Sequence, residues 1–118
     1  MQSTMSFNRG DVVLVPFPFT DLTTHKQRPG LVISSKQFNS SSADAILVGI
    51  TSQIPRDLAQ SDYRLTADEQ QKAGLPRPSM VKSAKVVTLN QTLIRRMLGR
   101  LPAETVNQIV SKLDAIIK

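Results

Sequence analysis

Two short groups in this sequence have the side chains to act on a phosphate: an arginine set directly before a proline, Arg28-Pro29, and a hydroxyl pair ending an apolar run, Thr51-Ser52. A guanidinium grips two phosphate oxygens at once and stays charged at any working pH. Pro29 fixes the chain path beside it, so the arginine rises from a stiff stem. Placed at the end of a strand, the Thr51 hydroxyl reaches outward while the sheet braces its backbone. It can donate to a phosphate oxygen, as can the backbone N–H groups of Ser52 and Gln53. With no adjacent base it is a poor nucleophile, so its work is orientation and hydrogen bonding. Structural roles compete for both residues. Arg28 can cap the start of a strand or pair with Asp21, and Thr51 can satisfy the turn that follows it. His25 lies three residues before Arg28 and titrates near neutrality. Standing alone, it can serve one proton step but not two at once.

Composition removes most other chemistry. The 118 residues include no cysteine and one histidine, which excludes a disulfide scaffold, thiol catalysis and a Cys-ligated metal, and leaves no basis for a His-built metal site. No cofactor is expected. There is no Gly-rich phosphate loop of the NTPase type. No carboxylate pair suits a glycosidase or a divalent-metal nuclease, and Asp11 and Asp21 stand isolated. The net charge of +6 suits a polyanionic partner, since phosphate binding releases condensed counterions. No apolar stretch approaches the roughly 20 residues of a membrane helix, and residues 1–8 lack a signal-peptide core. The expectation is one cytoplasmic domain over residues 1–118, without a membrane partner.

The elements that must position these residues are mostly short strands. Val12–Val15, between Gly10-Asp11 and Pro16, predicts a buried strand. Residues 16–29 predict a long loop, 31–33 a second strand and 37–44 a surface connection. A third strand covers 45–50, with Gly49 permitting a close approach. A short fourth strand is expected near 63–66, then an irregular stretch over 67–78. Two short strands with a bend near Ser83-Ala84 cover 80–89, and a helical turn over 93–98 ends at Gly99. Val106, Ile109, Val110, Leu113, Ile116 and Ile117 recur at helical spacing, predicting a terminal helix with one apolar face on the sheet and Pro102 in its first turn. The class is mainly β with a C-terminal helix, a small barrel with the helix laid against it.

An ordered set of segments carries a family resemblance. It comprises residues 9–21 (RGDVVLVPFPFTD), 26–34 (KQRPGLVIS), 47–53 (LVGITSQ), 78–82 (PSMVK), 87–89 (VTL) and 98–102 (LGRLP), followed by the terminal helix. Together these resemble the MazF/PemK toxins of type II toxin–antitoxin systems across nearly the whole chain. The resemblance implies an SH3-like β-barrel, a homodimer and a cognate antitoxin. It implies a metal-independent endoribonuclease, an mRNA interferase that cuts single-stranded RNA by attack of a 2′-hydroxyl on the adjacent phosphate.

It further implies that Arg28 and Thr51 are the catalytic pair. Thr20, His25, Lys26, Ser52, Gln53, Ser79 and Lys82 are the expected RNA contacts. Phe17 and Phe19 either stack on bases or close the barrel or a dimer interface. Arg95, Arg96 and Arg100 form a basic cluster near the expected helical turn, which either tracks RNA backbone or is a solvated face. One departure is notable. Some PemK-type relatives carry an Arg and an Asp two residues apart on the strand of Lys82, and here the second position is Ala84. A scheme relying on that carboxylate cannot operate, which favours Arg28 and Thr51. The same departure keeps open a silent RNA-binding relative, and the shared barrel keeps open a CcdB-like poison that binds gyrase.

Overall fold

A computed structural model describes residues 6–17 and 26–118. Among the described residues, six antiparallel strands form one sheet in the order β4-β5-β3-β2-β1-β6. The strands are β1 (Asp11–Val15), β2 (Arg28–Val32), β3 (Asp44–Thr51), β4 (Asp62–Arg64), β5 (Met80–Asn90) and β6 (Arg96–Arg100). Three α-helices accompany them: α1 (Lys36–Ser41), α2 (Ala67–Lys72) and α3 (Ala103–Ile117). The mainly-β class with a terminal helix is as expected. Hydrogen bonding does not close the barrel among the described residues, because β4 and β6 remain its two edges.

Alternation along the strands splits the core between the two faces of the sheet. Val12, Leu31, Val48, Ile50 and Val81 pack with Leu101, Val106 and Ile109 beneath α3. Val13, Val15, Val32 and Leu47 pack on the other face with Phe17, against Phe7 and Ile94. Phe17 is therefore core, 4% exposed, and not a stacking platform. Phe19 lies outside the described residues.

Several expected elements differ. The 16–29 loop ends earlier, because Arg28 and Pro29 already belong to β2, opposite Val15 and Leu14 of β1. Pro29 is tolerated there because β2 begins to pair with β3 only at Gly30, so its missing N–H breaks no ladder on that side. The surface connection over 37–44 is largely taken up by α1, which begins one residue earlier, is started by Ser35 accepting from the Phe38 N–H and is anchored by buried Asn39. The irregular stretch contains α2, opened by a full capping box: Thr66 accepts from the Glu69 N–H, and Glu69 accepts from the Thr66 N–H. β5 is one strand, but its pairing jumps from Val86 to Lys82, so a bulge sits at the expected bend. The Ser83 hydroxyl at that bulge donates to the Ile109 carbonyl and ties α3 down.

The predicted helical turn over 93–98 is instead a 3-10 turn (Gln91–Leu93) followed by β6, which pairs with β1. Gly99 is a close-approach residue and not a helix stop: a Cβ there would collide with the Lys72 and Ala73 backbone. Gly74 mirrors it, at φ 71° against the Leu98 carbonyl. The end of α2 thus lies directly on β6. Pro102 caps α3 and is not in its first turn. The last turn of α3 does not pack as expected, since Ile116 and Ile117 are 43% and 70% exposed. No helix among the described residues is long and apolar enough to cross a membrane.

Candidate nucleic-acid interface

The β2–β3 register brings the two leading residues together. Gly30 pairs with Gly49. Arg28, at the start of β2, and Thr51, at the end of β3, lie two residues beyond that pair, at the same end of the two strands. Both open onto one groove of about 700 Å³. Its floor is apolar, from Leu14, Ile50, Leu75 and Leu98. Lys26, Gln27 and Arg28 form one wall, and Thr51, Ser52 and Gln53 another. The segment leading into β5, with Arg77 and Ser79, and Arg96 of β6 complete the rim.

The hydrogen bonds say which groups remain for a ligand. Thr51 Oγ1 accepts from the Gln53 N–H at 3.1 Å, so the strand-end role is real. That bond spends the Gln53 N–H but leaves the hydroxyl proton of Thr51 to donate. Ser79 is buried, and its hydroxyl donates to the Arg77 carbonyl at 2.9 Å. It holds the rim in shape beneath Arg77. The side chains of Lys26, Ser52, Arg77 and Arg96 have no hydrogen-bond or ion-pair partner among the described residues. Four cations, Lys26, Arg28, Arg77 and Arg96, therefore line a groove with no carboxylate in its described lining.

Lys82 is not brought into this groove. It lines a shallow adjoining depression with Gln53 and Met80, and its ammonium lies 3.7 Å from Asp62 Oδ1 on β4. Asp62 is buried and also accepts from the Ala59 N–H, so it is engaged on both sides. Thr20, His25 and Asp21 lie outside the described residues. Asp11 is structural: it accepts from the Asn8 N–H and from Arg100 Nε, both at 2.8 Å. No group of three or more His, Asp or Glu able to hold a metal occurs among the described residues.

Residues 8–117 match the family described as the PemK-like, MazF-like toxin of type II toxin–antitoxin systems. The chain belongs to this family. It is 34% identical over 85 residues to endoribonuclease MazF6 of Mycobacterium tuberculosis, which covers 71% of this chain and 72% of that protein. In fold it is similar to MazF of Deinococcus radiodurans, with a TM-score of 0.76, 19% identity, and coverage of 97% of this chain and 98% of that one. It is similar also to a mycobacterial endoribonuclease solved with its cognate antitoxin, with a TM-score of 0.73, 22% identity and 93% coverage of each chain.

Two groove residues of this PemK/MazF-family chain are not among the site residues expected from sequence. Arg77 has a usable signal, since Arg77-Pro78 repeats the Arg28-Pro29 pair that holds an arginine on a rigid stem. Arg96 is legible only as a member of the Arg95, Arg96 and Arg100 basic cluster, because its place in the groove depends on β6 pairing with β1.

The face behind the groove is held by a separate polar set. Tyr63 donates to Glu69 Oε2 at 2.8 Å, and the Thr105 hydroxyl donates to the same oxygen at 2.8 Å. Burial, then the Glu69 hydrogen bond and charge, push the Tyr63 phenol up to about 12. Burial opposes ionisation of Glu69, but donors from Thr66, Tyr63 and Thr105 outweigh it and hold its carboxyl below the ordinary value. This set ties α2 to β4 and α3.

Proposed function

We propose that the chain is a toxin endoribonuclease that cuts single-stranded RNA without a metal ion. The observation that carries this reading is that Arg28 and Thr51 line one groove with Lys26, Arg77 and Arg96, and that its described lining holds no carboxylate. Attack of a 2′-hydroxyl on the adjacent phosphorus gathers negative charge on the non-bridging oxygens. The Arg28 guanidinium and the Thr51 hydroxyl are donors suited to hold that charge, and fixed donors at developing charge are the largest single contribution in such reactions. One P–O bond forms and the P–O5′ bond breaks. The proton lost by the 2′-hydroxyl is balanced by the one the 5′-oxygen gains. The products are a 2′,3′-cyclic phosphate and a 5′-hydroxyl.

Lys26, Ser52 and Gln53, which line the same groove, bind the RNA beside the scissile phosphate in this reading, with Ser79 shaping the rim. Unpaired bases are the readable part of such a substrate. The relatives' names and the solved toxin–antitoxin complexes support the same reading, with a cognate antitoxin as partner. A second copy of the chain is the further partner this reading expects. The test is incubation with long single-stranded RNA in EDTA. Fragments bearing 5′-hydroxyl and 2′,3′-cyclic phosphate ends are expected. Cleavage that appears only when magnesium is added, leaving 5′-phosphates, would overturn the mechanism.

A further inference from the structure

Arg96 lines two cavities at once. On one side is the groove of Arg28 and Thr51. On the other is a depression of about 520 Å³ between the residues preceding β1, α1 and β6, lined by Lys36, Arg95 and Arg100. With Arg96, four cations face that depression against a single described carboxylate, Asp11. Asp11 is 2% exposed and already bound to Arg100 through Nε, while the Arg100 side chain stays 55% exposed. Arg95 and Arg96 are both exposed, and among the described residues the Lys36 ammonium bonds only to the Ser6 carbonyl, at 3.1 Å. One buried carboxylate does not account for four cations on this surface.

We propose that a single-stranded RNA longer than the groove leaves it over Arg96 and lays its phosphates through this second depression, on Lys36, Arg95 and Arg100. The inference rests on the nuclease reading of the groove. Arg96 is then the ridge between the cutting site and a backbone track that adds affinity without reading sequence. Phosphate contacts of this kind position a nucleic acid and register as salt dependence. Continuity with the groove favours RNA over an acidic protein segment, since one unbroken polyanion can occupy both cavities through the shared arginine.

The test uses a Lys36→Ala/Arg95→Ala variant, which leaves the groove lining intact. Its binding to 2′-fluoro single-stranded oligomers of mixed sequence, 4 and 14 nucleotides in length, is compared with that of the parent chain across a salt series. For the 14-mer, affinity at low salt is expected to fall about tenfold. Its log–log salt slope should fall by about 1.4, at about 0.7 for each phosphate no longer neutralised. The 4-mer is expected to bind unchanged. Unchanged 14-mer binding or equal losses at both lengths would overturn the track. Cleavage of unmodified RNA by the parent chain is scored in parallel. Absent cleavage with a length-dependent loss would strike the nuclease reading and keep the track; retained cleavage with length-independent binding would strike the track alone.

Discussion

The two ends of the β2–β3 pair treat their polar groups in opposite ways. Beyond Val32 and before Asp44, side-chain amides and hydroxyls are turned inward. Gln91 Nε2 donates to the carbonyls of Asn39, Ser42 and Asp44, and its Oε1 accepts from the Phe7 N–H. Asn39 donates to the Phe7 and Ser34 carbonyls, and the Ser34 hydroxyl donates to Asn39 Oδ1 while accepting from the Ile46 N–H. At the other end, Lys26, Ser52, Arg77 and Arg96 have no such partners among the described residues, and Thr51 keeps its proton. A depression exists at each end, of about 620 and 700 Å³. Size therefore does not tell them apart. What distinguishes the groove, among the described residues, is that Lys26, Thr51, Ser52, Arg77 and Arg96 still have bonds to give.

The contrast predicts mutations that separate stability from activity. Arg28→Ala is expected to lower kcat by about 10³-fold, roughly 4 kcal/mol of barrier, while unfolding free energy falls by much less, no more than about 1.5 kcal/mol. Equal losses in chemical denaturation and in turnover would dissolve the distinction. Gln91→Leu should do the reverse. The two amide hydrogens shared among three carbonyls and the acceptor of the Phe7 N–H are lost, so stability falls by about 3 kcal/mol, with kcat per folded molecule unchanged. Thr51→Val keeps the β-branched shape and removes the donor. About thirtyfold in kcat, near 2 kcal/mol, is expected from single-turnover cleavage, with under about 1 kcal/mol of stability lost from the turn.

The smallest effect is a pH effect. Glu69 has a folded-state pKa below its ordinary 4.5, so its contribution to stability is present above about pH 4.5 and is lost as pH falls through the lower folded value. Glu69→Gln should flatten that acid limb in a urea-midpoint series, and an unchanged limb would exclude Glu69 as its source.

The legible parts of the fold are those that depend on local pattern. Val12–Val15 and Ala45–Ile50 announce buried strands by composition, and the terminal helix by its spacing. Helix α2 is legible too, through Thr66 and Glu69, but the Gly-Leu-Pro that follows obscures six residues of helix. Helix α1 carries no apolar period, because its anchor is a buried asparagine bonded to a distant segment. Strand β6 is held by β1, some 85 residues earlier, so no window around Leu93–Leu98 contains the reason for it.

The site divides the same way. Arg28 and Thr51 stand out by type and by their places at strand ends, but that both open onto one groove follows only from the pairing of β2 with β3. Arg96 reaches the rim through non-local pairing, and Lys82 is drawn aside by Asp62, its partner across β4 and β5.

The most direct test of a groove built to hold RNA is where RNA touches the protein. A short single-stranded RNA titrated into isotope-labelled chain is predicted to shift the NMR signals of Arg28, Thr51, Ser52, Gln53 and Arg77 together, leaving Asn39 and Gln91 still. Shifts centred on Asn39 and Gln91, or none in the groove at saturating RNA, would contradict it.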